Sequence, residues 1–472
     1  MAEPEFDELE EDFAAPAEDQ QLDEENRLKP EFVRSVRDAL DQEDDGRVYD
    51  LVEPLHPADI ADLFELLERD ERKTLASAIT DLMTGDVIAE LNDYVREDMV
   101  EALPAAAVAE IAEQLDTDDA VQLIEDLEPE DQRAILAEMD AEDRAAIENA
   151  LSYPEETAGR LMQRELVAVP EHMTVGDLID YLREHEELPT EFFEVFVVDP
   201  KHHPVGTCAL SWILRTPRHI ALTDVMKRDQ TLIPVGMDQE EVALRFQKYG
   251  LISAAVVDPG GRLVGQLTVD DIVHIISEEA GEDALLLSGA GEGDINEPIR
   301  DAYTARVRWL IANLVTASVA SFVISRFEDV IAQLVTLAVL MPIVAGIGGN
   351  AGTQTLAVTV RALATNQLTA SNMWRAVRRE MSINLLNGVS VALVIGLVIS
   401  LLFGDWHLGL VIGLAMLANI VIAGVAGVLV PLTLEKAKVD PAISSSIFVT
   451  MTTDSMGFLV FLSLAVATGL VP

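Results

Sequence analysis

The chain has one cysteine, Cys208, in 472 residues, which excludes an intramolecular disulfide and a cysteine-built metal site. Aromatics are scarce at 5%, and positive charge is scarcer still, with 32 Lys and Arg against 83 Asp and Glu. Only 7 of those basic residues are Lys. A field this negative repels nucleic acid and anionic headgroups and attracts cations. A P-loop, a Ser/His/Asp triad and a spaced pair of ligand histidines are also missing, so no enzyme is expected; His202-His203, beside Pro204, reads as a solvated turn. Residues 1–26 lack the basic segment and apolar core of a signal peptide and read as a disordered acidic tail.

The charge deficit is uneven. From Thr304 onward there are 7 acidic and 9 basic residues, against 76 and 23 before it. Two explanations compete for the acidic part: a cation-sensing domain, or adaptation of the whole surface to a salt-rich cytoplasm. The scarcity of Lys and the spread of acids over every helix favour salt adaptation for most of the charge, with a few acids left as candidate ligands.

Residues 27–158 carry a period of 12: Leu55, Leu67, Ile79, Leu91, Leu103, Leu115, Leu127, Met139 and Leu151 follow one another without a slip. A second apolar residue follows eight positions after each of the first eight, from Leu63 to Ile147. Pro57, Pro104 and Pro129 fall where a first helical turn tolerates proline, and Asp116 and Thr117 offer caps to a repeat without one. The pattern predicts a stack of short helices in a superhelical repeat, a scaffold with no catalytic constellation.

Residues 159–280 contain one module twice, 159–222 and 223–280. Met162, Pro170 and Met173 recur 64 residues later as Met226, Pro234 and Met237, whereas Val197-Val198-Asp199 and Val205-Gly206 recur 59 residues later as Val256-Val257-Asp258 and Val264-Gly265. The five-residue difference falls around Glu187 to Phe192. Each copy predicts a strand, a helix and two further strands. With the closing phrase from Leu263 to Asp271, this resembles a tandem pair of CBS domains. That resemblance implies a regulatory module that binds adenine nucleotides, ATP among them, or metal ions; a dimerising spacer with an empty cleft is the alternative.

Residues 281–306 form an acidic connector. Glu278, Glu279, Glu282 and Asp283 precede Gly289, Gly291 and Gly293, and Asp294, Glu297 and Asp301 lead into an amphipathic helix expected from about Glu297 to Arg306. Such acids suit a hard cation such as Mg²⁺. Glu278, Glu282, Asp283, Asp294, Glu297 and Asp301 are therefore sensor candidates, and a plain acidic linker is the competing reading.

Five apolar spans occupy residues 307–472: Val307–Ser325, Val330–Val360, Met381–Phe403, Leu408–Leu434 and Ala442–Leu470. Arg361, Arg375, Arg378 and Arg379 follow the second span, and Lys436 and Lys438 the fourth, which puts those loops and residues 1–303 in the cytoplasm and Pro472 outside. The second span holds Gly346, Gly348, Gly349 and Gly352 behind Pro342, read either as an unwound turn with free carbonyls or as close helix packing. Asp454 lies inside the last span, where a carboxylate is functional or glues two helices together. Asn350 is 11 residues from Arg361 and Asp454 is 12 from Ala442, so both sit ~17 Å deep at ~1.5 Å per residue.

The run from Gly348 to Thr355, the phrase Val439-Asp440-Pro441-Ala442, Thr453-Asp454 with Gly457, and the order of segments together resemble the MgtE family of magnesium channels. The resemblance implies a homodimer in the cell membrane whose cytoplasmic domains bind Mg²⁺ and press a linker helix on the pore. It makes Asp454 the central carboxylate for hydrated Mg²⁺, with Asn350 and the Gly346 carbonyl beside it, Asp440 at the cytoplasmic mouth, and Ser446 where some relatives have Asn. The expected architecture is multidomain: a helical superhelical repeat, an α/β CBS pair, a linker (plug) helix and an all-α five-span membrane domain. An importer of Mn²⁺ or Co²⁺, or a membrane-anchored sensor without transport, are the rival readings.

Overall fold

The computed structural model describes residues 21–471 apart from 102, 126, 186, 190, 191, 289–292, 294, 295 and 370. Most of the expected tail, 1–20, lies outside the described residues. Gln21 to Lys29 fold back on themselves: the Lys29 amide donates to the Gln21 carbonyl at 2.8 Å, and Leu22 packs on the helical core. The chain divides into two compact units, Met1–Ile276 and Ser277–Pro472.

Among the described residues, the first unit opens with ten short α-helices: α1 (Pro30–Asp41), α2 (Asp45–Val52), α3 (Pro57–Leu66), α4 (Arg69–Ala78), α5 (Gly85–Ala89), α6 (Asp93–Glu101), α7 (Ala105–Ala112), α8 (Thr117–Glu125), α9 (Pro129–Glu138) and α10 (Ala141–Leu151). Seven of them start at 57, 69, 93, 105, 117, 129 and 141, so the 12-residue period is one helix plus one turn. The interval near 81 holds a 3₁₀ turn, Thr80–Leu82, before α5. Pro57 and Pro129 open their helices, whereas Pro104 stands just before α7. Helices pack on the next but one, α3 on α5, α4 on α6, α6 on α8, α7 on α9 and α8 on α10. The periodic residues Leu63, Leu75, Val87, Met99, Leu123, Ile135 and Ile147 are buried between them.

The repeated modules follow as β1 (Ala168–Pro170), α11 (Val175–Glu184), β2 (Glu194–Val198), β3 (Pro204–Ala209), α12 (Leu210–Arg215), α13 (Leu222–Val225), β4 (Leu232–Pro234), α14 (Gln239–Tyr249), β5 (Ser253–Val257), β6 (Leu263–Thr268) and α15 (Val269–Ser288). β1 pairs parallel with β2 and β2 antiparallel with β3; β4, β5 and β6 repeat the arrangement, and the register shifts at Val197/Val198 and again at Val256/Val257. The segment leading into each copy docks on the other copy. Gln163 and Gln266 exchange backbone hydrogen bonds at 2.9 Å, and Thr207 and Lys227 do so at 2.8 and 3.0 Å. This crossing explains the repeated Val-Gly pairs: a Cβ on Gly265 would lie 2.8 Å from the Met162 sulfur and from the Gln163 carbonyl, and one on Gly206 2.7 Å from the Met226 sulfur.

α15 runs unbroken to Ser288, and the helix expected to begin near Glu297 is the first turn of α16 (Ile299–Ser325), which continues as the first apolar span. No separate linker helix therefore stands between them among the described residues. Gly293 between the two helices has a φ of +74°, and Gly289 and Gly291 lie outside the described residues. After α17 (Glu328–Gln333) come α18 (Thr336–Ala364), α19 (Met373–Phe403), α20 (Trp406–Lys436) and α21 (Pro441–Ala467). Among the described residues, α16, α18, α19, α20 and most of α21 are long and apolar enough to cross a membrane. α20 is the most buried of them and packs on α18, α19 and α21, while α16 packs on α21.

Gly265→Val should weaken the module pair by ~1–3 kcal/mol through overpacking at a rigid carbonyl. Gly236, whose Cβ position is open, serves as the control as Gly236→Ala. Thermal unfolding of the full chain in detergent checks this: a melting temperature lowered by several degrees for the first variant and unchanged for the second is expected.

Candidate functional site

α21 presents Ile447, Thr450, Met451 and Asp454 on one face, at helical spacings of three and four, while α16 presents Asn313, Thr316 and Ala317. Together with Ser446 these residues line a cavity of about 390 Å³ between the two helices. The polar part of its wall is the Asp454 carboxylate, half-buried, the Asn313 carboxamide and the hydroxyls of Thr316, Thr450 and Ser446, and Ala317, Ile447 and Met451 supply an apolar part. The Thr316 hydroxyl donates to the Asn313 carbonyl at 2.9 Å. Val449, Thr453 and Phe461 of α21 are buried.

Asp454 and Ser446 thus share one cavity, but Asn350 and Gly346 are not among its lining residues. Both are exposed on α18, whose packing face carries Val344, Gly348, Gly352, Thr355 and Thr359. The unwound turn expected behind Pro342 does not occur: α18 is helical from Thr336 to Ala364, so the Gly346 carbonyl sits within a regular helix. Close packing explains Gly348 and Gly352 instead, since a Cβ at Gly352 would lie 2.6 Å from Val449. Asp440 is exposed and caps α21, accepting from the Ala442 amide at 2.7 Å ahead of Pro441. Asn313 and Thr316 escaped sequence analysis because single polar residues in an apolar span carry no periodic signal.

The sensor candidates scatter. Glu278 and Glu282 are exposed on α15, Asp301 is exposed in the first turn of α16 and Glu297 is half-buried just ahead of it. Asp283 also lies on α15, and Asp294 lies outside the described residues. Further along α15, Leu286 and Leu287 pack against Leu356 and Val360 of α18, Ala426 of α20, and Ala442 and Val449 of α21.

A denser acidic group sits in the first unit, where α8 meets the lead-in segment and the start of α15. The Thr117 amide and hydroxyl donate to the Glu165 carboxylate at 3.1 and 2.8 Å, an anion at the positive end of α8. Next to it Asp118 is buried, and its Oδ1 has no hydrogen-bond partner among the described residues. Burial, then the Asp271 charge and those of Asp119 and Asp116, raise the Asp118 carboxyl well above the usual range. Burial and the charges of Glu165, Asp271, Asp270 and Asp86 push Asp116 up to about 6. Asp119 reaches about 7 through burial, Asp271, Asp116 and Glu90, against the opposing pull of Arg96. Asp271 is raised mainly by burial, against the hydrogen bond that the Thr268 hydroxyl donates to its carboxylate. Among the described residues, no three His, Cys, Asp or Glu side chains are set to hold a bare metal ion. A hydrated divalent ion, held through its own water, suits such a group better.

Comparison with known proteins gives matches along the chain. The family profile MgtE, described as a divalent cation transporter, matches residues 341–464, and the MgtE intracellular N domain profile matches 55–156. The CBS domain profile matches 158–210 and 222–278. The chain is 30% identical over 465 residues to the magnesium transporter MgtE of Thermus thermophilus, covering 93% of this chain and 98% of that one. With the magnesium transporter MgtE of Enterococcus faecalis it shares 33% identity over 323 residues, 68% of this chain and 70% of the other. A solved structure, the cytosolic domain of the Mg²⁺ channel MgtE in complex with ATP, is 28% identical over 52% of this chain and 99% of its own, with a TM-score of 0.47.

The raised carboxyls give a pH prediction. Their folded values lie above the unfolded one of 3.8, so their contribution to stability is full below about pH 4 and is lost as pH rises through about 6 to 7. In chelator, the first unit of the intact protein should melt at a higher temperature at pH 5.5 than at pH 8. Asp118→Asn should shrink that difference; an unchanged difference would show that this group does not carry it.

Proposed function

The chain belongs to the MgtE family, and on that premise we propose that it is a magnesium channel that admits Mg²⁺ down its electrochemical gradient and closes when Mg²⁺ binds its acidic cytoplasmic part. It is a multi-pass membrane protein without enzymatic chemistry. The observation that carries the reading is Asp454, a carboxylate that shares a cavity with the Asn313 carboxamide and three hydroxyls between two helices long and apolar enough to cross a membrane. Mg²⁺ sheds water reluctantly, so the Asn313, Thr316, Ser446 and Thr450 groups act on its hydration shell while Asp454 supplies the charge. The inward drive is ~2.3 kcal/mol per elementary charge per 100 mV, doubled for a divalent ion, and no nucleotide hydrolysis is needed.

In this reading the chain works as a homodimer, with two Asp454 carboxylates facing one path and the exposed faces of Asn350 and Gly346 turned to the partner. The N-terminal domains lie in the cytoplasm and the C-terminus outside, in keeping with Arg361, Arg375, Arg378 and Arg379 after α18. Closure follows from charge. The carboxyls of Asp116, Asp118, Asp119, Asp271 and Glu165 oppose one another until a cation or protons neutralise them, so Mg²⁺ favours the compact arrangement. α15, which starts at these acids and carries Leu286 and Leu287 against α18, α20 and α21, links their state to the membrane helices.

Expression in a strain without its own magnesium importers tests this. The wild-type chain should restore growth at low Mg²⁺ and Asp454→Asn should reduce Mg²⁺ uptake at least tenfold at equal membrane abundance. Equal rescue by both would remove Asp454 from the path. Uptake of Mn²⁺ or Co²⁺ in place of Mg²⁺ would transfer the function to a softer ion, for which Met451 in the cavity wall offers a ligand.

A further inference from the structure

Asn419 is fully buried on α20, among apolar neighbours in the most buried membrane-crossing helix. Its Nδ2 donates to the carbonyl of Val344 on α18 at 3.0 Å, and its Oδ1 has no hydrogen-bond partner among the described residues. Two glycines from two other helices face this one carboxamide. A Cβ on Gly348 of α18 would lie 2.1 Å from Nδ2, and a Cβ on Gly457 of α21 would lie 2.6 Å from the same atom. Neither position admits even alanine while the amide is in place. Gly348 is two residues from Asn350, and Gly457 three residues from Asp454.

We propose that Asn419 is a positioning residue for the pore: its carboxamide, wedged between Gly348 and Gly457 and tied to the Val344 carbonyl, sets the spacing and rotation of α18 against α21. The proposal rests on the channel reading above and adds the part that touches no ion. Apolar packing alone lets two helices slide and turn against each other; a directional hydrogen bond seated between two glycines does not. Removing the amide frees α21 to rotate, so the Asp454 carboxylate loses its fixed distance from the groups across the path.

The test compares wild type, Asn419→Ala, Gly348→Ala and the double variant Asn419→Ala/Gly348→Ala in proteoliposomes. Each single variant should raise the half-saturating Mg²⁺ concentration at least fivefold while leaving maximal flux within about threefold. The double variant, in which a methyl fills the space the amide vacated, should return to within twofold of wild type. A half-saturating concentration unchanged in Asn419→Ala, or no recovery in the double variant, would overturn the proposal. If Asn419→Ala does not accumulate, Gly348→Ala and Gly457→Ala, which press on the carboxamide from opposite sides, carry the same readout. If wild type itself carries no Mg²⁺, the channel reading fails, and hydrogen exchange decides the clamp separately: the amides from Gly348 to Gly352 should exchange faster in Asn419→Ala, and equal rates would refute it.

Discussion

A carboxylate inside a membrane-crossing helix costs ~2.5–3.5 kcal/mol on insertion scales, and the arrangement of this membrane domain follows from where that cost is offset. Asp454 shares a cavity with the Asn313 carboxamide and three hydroxyls, and another face of its helix packs against α18 and α20. Holding both faces requires α21 to keep its rotation. The buried Thr453 and Phe461 and the closely packed Gly457 therefore matter to the carboxylate beside them.

Charge constrains the cytoplasmic part in the opposite sense. The membrane domain keeps few ionisable groups, whereas the first unit gathers carboxyls of one sign where α8 meets the start of α15. Like charges at a buried contact oppose it, and protons or a cation that neutralise them favour it.

Much of this was legible in the sequence, for reasons that also mark what was not. The helical repeat follows from a 12-residue spacing that the structure reproduces as helix starts, and the two modules follow from spacings of 64 and 59 that place the length difference between α11 and β2. Periodicity reports which residues recur, and it does not report which copy they touch, so the exchange of Met162 and Met226 between modules needed coordinates. Glycine composition left α18 open between an unwound turn and close helix packing, and contacts settle it for packing, with Asn419 against Gly348 and Val449 against Gly352 in an unbroken helix. In a chain with 83 acidic residues, charge alone could not separate Asp118 and Asp271 from surface acids; burial does. The connector acids drew notice by density, and those described are mostly exposed.

The central claim is that Mg²⁺ passes the membrane through the Asp454 cavity. The most direct measurement is the reversal potential of purified wild type and Asp454→Asn in bilayers under a tenfold Mg²⁺ gradient. For a pore that conducts a divalent cation, the wild-type current should reverse about 30 mV from zero, the potential at which two charges balance a tenfold concentration ratio. Asp454→Asn should show no Mg²⁺ current with such a reversal. A wild-type reversal near zero, or a variant that still reverses at 30 mV with full conductance, would contradict the account.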